Sequence, residues 1–195
     1  YARATLPEEK AYLFTTSINW VPPPGLKDAV AFIIEENAPL SLAESVFDFE
    51  IVSEDESAAE IKLSVSVLPK NVINAYVTLF ESALITPISF DLESRAIARA
   101  VIRRGDKRPH LIINLSVNKT GFYVVEEEVV QFSFTPAYGV GEDDSYSSLD
   151  NLKAEMRKVS AFWNTRTDKS GKLEKKIENV ILCGLAGSNK DFVEK

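Results

Sequence analysis

The hydrophobic and polar positions divide the chain into two unlike stretches. Residues 11–18 (AYLFTTSI) read as a strand. The run Val21-Pro22-Pro23-Pro24-Gly25 then breaks the chain, because proline fixes φ and offers no amide donor. Over 26–37, Leu26, Ala29, Val30, Ile33 and Ile34 recur at helical spacing, with Asp28, Glu35 and Glu36 off that face. Pro39 stops the helix by pushing its predecessor out of the α region. Two period-2 segments follow. Phe47, Phe49 and Ile51 alternate with Asp48 and Glu50, and Ile61, Leu63, Val65 and Val67 alternate with Lys62, Ser64 and Ser66. Such alternation predicts half-buried antiparallel strands joined by the acidic loop 53–60. Residues 70–84 predict a second amphipathic helix on Ile73, Tyr76, Val77, Phe80 and Leu84. The order strand, helix, strand, strand, helix predicts a small α+β unit with its helices on one antiparallel sheet.

The second stretch opens with a short strand at 88–92 and an Ala- and Arg-rich helix at 93–104, ended by Gly105 and Asp106. Three strands follow in 110–134: HLIINL, GFYVVE and VVQFSF, with turns near Asn118-Lys119 and Glu126 to Glu128. A polar loop spans 138–148, and a long helix runs from about Leu149 to Trp163 with Leu152, Met156, Val159 and Phe162 or Trp163 inside. A Lys-rich linker leads to a buried strand, Val180 to Cys183, and Gly184 to Ser188 turns into a short helix. No internal repeat or low-complexity segment interrupts this order.

Composition changes the picture mainly by exclusion. The 195 residues are 45% hydrophobic and 26% charged, enough apolar surface for a core and too much for a disordered chain. The net charge of −7 disfavours nucleic acid and anionic membrane surfaces. The basic clusters Arg103, Arg104, Lys107, Arg108 and Lys169, Lys172, Lys175, Lys176 lack interleaved aromatics and read as solvated faces. The single cysteine, Cys183, forms no intrachain disulfide and reads as an inert thiol in an apolar run. No segment is long and apolar enough to span a membrane, and residues 1–10 are too polar for a signal peptide. The absence of an initiator Met is read as a sign of a fragment. One His and one Cys make no ordinary zinc site, and no GxSxG elbow or Gly-Lys-Ser/Thr loop occurs. Asp48 and Glu50 read as solvated carboxylates on a strand's polar face.

Several weak motifs in one order carry a resemblance. They are Leu6-Pro7-Glu8-Glu9-Lys10, a helix with a Glu-rich end, Ala38-Pro39-Leu40-Ser41-Leu42-Ala43-Glu44, the aromatic-Asp-aromatic strand Val46 to Val52, and ITPISFDLESRAIARA over 85–100. Together they resemble the PilM family of type IV pilus assembly proteins over nearly the whole chain. The resemblance implies an actin-like (ribonuclease H-like) α+β / α/β fold related to FtsA. It also implies a small inserted α+β subdomain at 1–86 and an actin-like lobe at 87–195. Such folds hold ATP and magnesium between two lobes, with hairpin loops on the phosphates and a glycine-rich turn at the adenosine.

The resemblance places the second phosphate loop, usually Asp-x-Gly-x-x-x-Thr, on Asn114-Leu115-Ser116-Val117-Asn118-Lys119-Thr120. Thr120 is kept. Asn114 replaces the aspartate that would hold hydrated magnesium or the attacking water. Ser116 replaces the glycine that lets backbone approach phosphate. The adenosine turn, usually Gly-Gly-x-Ala, falls on Gly184-Leu185-Ala186-Gly187 and loses the double glycine. Arg157 and Ser160, at i and i+3 of the long helix, are spaced to hold a purine edge or are a surface arginine and a packing serine. The first phosphate loop would lie before residue 1.

These departures imply a degenerate ATPase acting as a scaffold. The family's partner is the N-terminal cytoplasmic tail of PilN, an inner-membrane protein, which would hold this chain at the cytoplasmic face without direct membrane insertion. The helix at 26–37 and the strand at 11–18 are the expected lining of a groove for that tail. Self-association accompanies this fold. The competing reading is an ATP-binding or ATP-hydrolysing protein of the FtsA type, for which a C-terminal amphipathic membrane helix is expected; the ending Asp191 to Lys195 is too short and acidic for one.

Overall fold

The computed structural model describes residues 1–55, 59–136, 146–167, 171 and 173–184, with the side chains of 146–149 left aside. Its elements are β1 (Ala2–Leu6), β2 (Tyr12–Asn19), α1 (Pro23–Asn37), β3 (Ser45–Asp55), β4 (Glu60–Pro69), α2 (Lys70–Ser82), β5 (Pro87–Leu92), α3 (Glu93–Val101), β6 (His110–Leu115), β7 (Thr120–Glu126), β8 (Val129–Phe134), α4 (Tyr146–Asn164) and β9 (Asn179–Cys183). The strands form three sheets: β1 with β5, the antiparallel set β2-β4-β3, and the mixed set β8-β7-β6-β9 in which β6 and β9 run parallel.

The first antiparallel sheet is covered by α1. Leu26, Val30 and Ile34, one helical face, pack on Ile61, Leu63, Val65 and Val67 of β4. Pro23 and Pro24 occupy the first turn of α1, where a missing amide is harmless. The expectation of a half-buried β4 is corrected: Ser64 and Ser66 on its polar face are buried too. As the middle strand, β4 has a neighbour on each edge, and its serine face abuts the second half of the chain, where Ser64 Oγ donates to the Val130 carbonyl at 2.6 Å.

Two further expectations shift. The helix α2 meets the expected antiparallel sheet through Leu68 of β4, but its Ile73 and Tyr76 also cluster with Leu6 of β1 and Phe90 and Leu92 of β5, outside that sheet. Tyr76 and Phe80 set their rings against Phe90 of β5, at centroid distances of 6.2 and 6.0 Å. It also ends earlier than expected, because Leu84 adopts φ 57°, a left-handed conformation that closes the helix with Ile85 N–H on Phe80 O. The strand β1 had no signal in the polar N-terminal stretch; it is a parallel partner of β5, with Leu6 its buried residue.

The mixed sheet lies between two helices. Leu111, Ile113, Leu115, Phe122 and Val124 face Leu152, Val159 and Trp163 of α4. Ile112, Tyr123, Val125 and Val130 face the other way and cluster with Ala98 of α3. Glu127 and Glu128, both at positive φ, make the tight turn between β7 and β8 that the sequence predicts.

Ile34 is fully buried, while Phe32 on the same helix is 82% exposed. Ile34→Ala is expected to lower unfolding free energy by about 2–5 kcal/mol. Phe32→Ser should stay within about 0.5 kcal/mol. Urea denaturation of both variants checks the assigned face.

Candidate functional site

The turn between β6 and β7 meets the start of α3 and the end of β9. Along β6, odd and even positions face α4 and α3 respectively, so the parity that buries Ile113 under α4 sends Asn114 toward α3. Asn114 is buried, and its amide donates to Glu93 Oε1 at 3.2 Å. Glu93 is the first residue of α3. Its other oxygen receives Lys119 Nζ at 2.6 Å, and the same ammonium reaches Glu9 Oε2 at 3.2 Å. Ser116 N–H bonds Lys119 O at 3.0 Å, which closes the turn on itself.

A second carboxylate serves the N-terminus of α3. Glu8 is buried, and its Oε2 accepts from the Ser94 amide at 3.1 Å. Leu92, at the cap position, makes no side-chain cap bond, so Glu8 supplies from a distant segment what a local Ser or Asp ordinarily would.

The charges bear this out. Burial works against Lys119, but Glu93 and then Glu9 outweigh it and raise its pKa. Burial likewise opposes the Glu9 charge, yet its own backbone amide and Lys119 hold the carboxyl below its ordinary value. Burial, with Glu93 and Glu8 adding to it, pushes the Tyr123 phenol upward. Cys183 is half-buried and is also pushed up, first by burial and then by Glu93, so it stays a protonated thiol at neutral pH.

Of the residues singled out in the sequence, the structure brings Asn114, the Ser116–Thr120 turn and Gly184 together. Asn114 pairs with Cys183 across β6 and β9. A Cβ on Gly184, which sits at φ +91°, would lie 2.2 Å from Leu115 O and 2.8 Å from Asn114 Oδ1. Ser116 is half-buried, Asn118 is exposed and Thr120 is buried with its hydroxyl unpartnered among the described residues. Arg157 is exposed and Ser160 half-buried on α4, which covers the opposite sheet face. Among the described residues no hydrogen bond or ion pair joins either of them to the β6–β7 turn. Gly187 and the expected short helix at 184–188 lie outside the described residues, apart from Gly184.

Sequence reasoning missed Glu93, Glu8 and Glu9. An acid in a first helical turn is ordinary, and nothing local marks the other two as its spatial neighbours. It also missed Arg95, a buried arginine of α3 that reaches Asp48 at 2.9 Å and Glu50 at 3.0 Å. The two strand carboxylates therefore have an ionic role at a contact between the halves of the chain. Burial raises the Glu50 pKa, with Arg95 opposing it.

The arrangement does not fit a nucleotide with magnesium. The side-chain donors at the turn, Asn114 Nδ2 and Lys119 Nζ, are bonded to carboxylates, and the α3 amide of Ser94 is bonded to Glu8. Among the described residues no group of three His, Cys, Asp or Glu side chains could hold a metal ion. No helix among them is long and apolar enough to cross a membrane.

These layers and connections define the actin-like fold, with the mixed sheet between α3 and α4. The comparisons place the particular arrangement. The PilM-PilN type IV pilus biogenesis complex contains a chain similar to this one at TM-score 0.76 and 13% identity, covering 98% of this chain and 65% of that one. The cytoplasmic domain of EpsL, an inner membrane component of the type II secretion system of Vibrio cholerae, is similar at TM-score 0.50 and 12% identity, with 93% and 64% coverage. The chain thus spans just under two thirds of each of these neighbours. No family model matches the chain, and no curated protein matches it by sequence.

Two predictions follow the geometry. Gly184→Ala is expected to destabilise by about 1–3 kcal/mol, since it adds both strain and overlap; thermal denaturation reads it. Glu9 is held below its ordinary 4.5 and Lys119 above 10.5, so their pairing is complete between those values. It is lost as pH falls through the lowered Glu9 value or rises through the raised Lys119 value. Lys119→Met should therefore flatten the acid limb of the stability profile below pH 4.5. Identical acid limbs would assign the pair no stability.

Proposed function

We propose that this protein is a scaffold in an inner-membrane assembly platform of the type IV pilus kind, binding the cytoplasmic tail of a PilN-like membrane partner. In this reading it lies in the cytoplasm and is held at the membrane through that partner. Residues 1–86 form the inserted subdomain and 87–195 the actin-like lobe, with β1 tethered to β5 across that division.

The observation that carries the reading is a groove of about 230 Å³ between β3 and β5. Val46, Phe47, Leu68 and Phe90 give it an apolar lining, and Arg95 with Asp48 gives it a polar end. Val46 is 42% exposed on β3, the edge strand of its sheet among the described residues. An extended segment with alternating apolar residues could lie along such an edge, as in strand addition. The helix α1, expected from the sequence as lining, spends its apolar face on β4, and β2 runs beside β8. The β3–β5 groove is therefore the better seat.

The neighbour's name supports a PilN-type partner, and the EpsL likeness supports an assembly platform at the inner membrane. For the ATP-hydrolysing reading of the FtsA type, Asn114 and Lys119 would first have to leave Glu93.

The test is fluorescence anisotropy with a labelled N-terminal peptide of a PilN-like protein. Binding should weaken at least about tenfold in Val46→Asp, which places a charge in the apolar lining. Unchanged affinity in that variant would move the site elsewhere, and absence of binding by the unsubstituted chain would sink the reading.

A further inference from the structure

We infer that Glu93 is a built-in anion that closes the β6–β7 turn against phosphate. The inference concerns the nucleotide-like site and does not rest on where a partner tail docks.

A phosphate site needs cationic or N–H donors converging on one point. Asn114 near the end of β6 and Lys119 of the turn supply such donors, and both point at the Glu93 carboxylate, one on each oxygen, at 3.2 and 2.6 Å. A carboxylate with one donor on each oxygen is held as a phosphate edge would be. The amide of Ser94, in the first turn of α3, is the third donor nearby, and Glu8 takes it at 3.1 Å. Two glutamates thus occupy the positions at which this corner of the fold could receive an anion.

Their negative charge also repels a polyphosphate. Glu9, Glu8 and Glu93 all lie around the turn, and Lys119 is the one described cation paired with Glu9 and Glu93 there. An entering phosphate would have to separate Lys119 from both carboxylates and leave them facing its own charge. A phosphate would bring further negative charge to an ammonium that already serves two carboxylates. Glu93 is therefore the residue that decides whether the turn accepts phosphate.

The experiment uses inorganic pyrophosphate without magnesium, titrated by calorimetry into the whole chain and its variants. Glu93→Gln keeps the size of the side chain and an acceptor for Asn114 but removes the charge that holds Lys119. It should bind pyrophosphate at least about tenfold more tightly than the unsubstituted chain, the scale of a released charge-assisted hydrogen bond. Glu93→Ser, also tolerated in a first helical turn, serves the same purpose if the Gln variant does not fold. Glu9→Gln leaves the shorter Glu93 contact and the Asn114 bond in place and should gain less than Glu93→Gln. Adding Lys119→Met to Glu93→Gln should remove the gain.

An independent readout is the titration of Lys119 after reductive methylation with a 13C label. Its pKa, raised by Glu93 and Glu9, should fall in Glu93→Gln. Equal pyrophosphate affinity in the unsubstituted chain and in folded Glu93 variants would overturn the inference, and so would an unchanged Lys119 titration. Peptide binding at the β3–β5 groove should be the same in all these variants, so its loss or retention bears on the docking reading alone.

Discussion

The burial of β6 on both faces is the constraint from which most of this structure follows. All six residues His110 to Leu115 are buried. A strand in that position must present an apolar side to each of two covering layers, and the alternation of side chains makes the assignment rigid. Leu111, Ile113 and Leu115 go to α4, and Ile112 goes to α3. The polar residue Asn114 then has one place to go, which is the α3 side, where the first residue of that helix is an acid. A slip of one residue would send Asn114 under α4 and expose the leucines to the polar corner. The site's geometry is thus a consequence of core packing.

The same corner shows how an acidic chain holds its halves together. Arg95 is buried, with only 7% of its side chain exposed, and meets Asp48 and Glu50 from the first sheet. Lys119 meets Glu9 from the N-terminal stretch and Glu93 from α3. A buried cation is costly to desolvate, and such pairs are weak contributors to net stability when compared with apolar replacements. Their value here is geometric. Each fixes a contact between segments far apart in sequence that apolar packing alone would leave free to slide, and a shift at Arg95 would leave an unpaired buried charge.

What the sequence made legible was the part governed by local rules. The apolar stripe of α1, the alternation in β3 and β4, the hairpin turn at Glu127–Glu128 and the order of the elements all follow from periodicity and turn chemistry. The double burial of β4 was not legible, because serine is a polar residue by any pattern and only the neighbouring β8 makes Ser64 a core donor. β1 was not legible either, since one buried leucine and a pairing with β5 more than eighty positions away leave no periodic trace. For the site, the resemblance singles out the turn bearing Asn114, Ser116 and Thr120 together with Gly184, and the structure brings these residues near one another. The glutamates that face the turn were not legible, because they come from two other segments and each is unremarkable where it stands.

Three segments distant in sequence have to be joined at the β6–β7 turn. In this chain the joining is done by side chains. Glu9, Glu93, Asn114 and Lys119 connect the N-terminal turn, the start of α3 and the β6–β7 hairpin through direct bonds. An internal ligand of this kind has an effective concentration no free phosphate can match, because the chain has already spent the entropy of bringing it there. On the inference drawn above, such a corner keeps one arrangement without a bound phosphate. On the proposed reading this suits a scaffold, whose task is to hold a groove in one shape for a partner. Asn114 and Ser116, which by resemblance stand where a phosphate loop has Asp and Gly, sit at that corner without disturbing the pairing of β6 with β7.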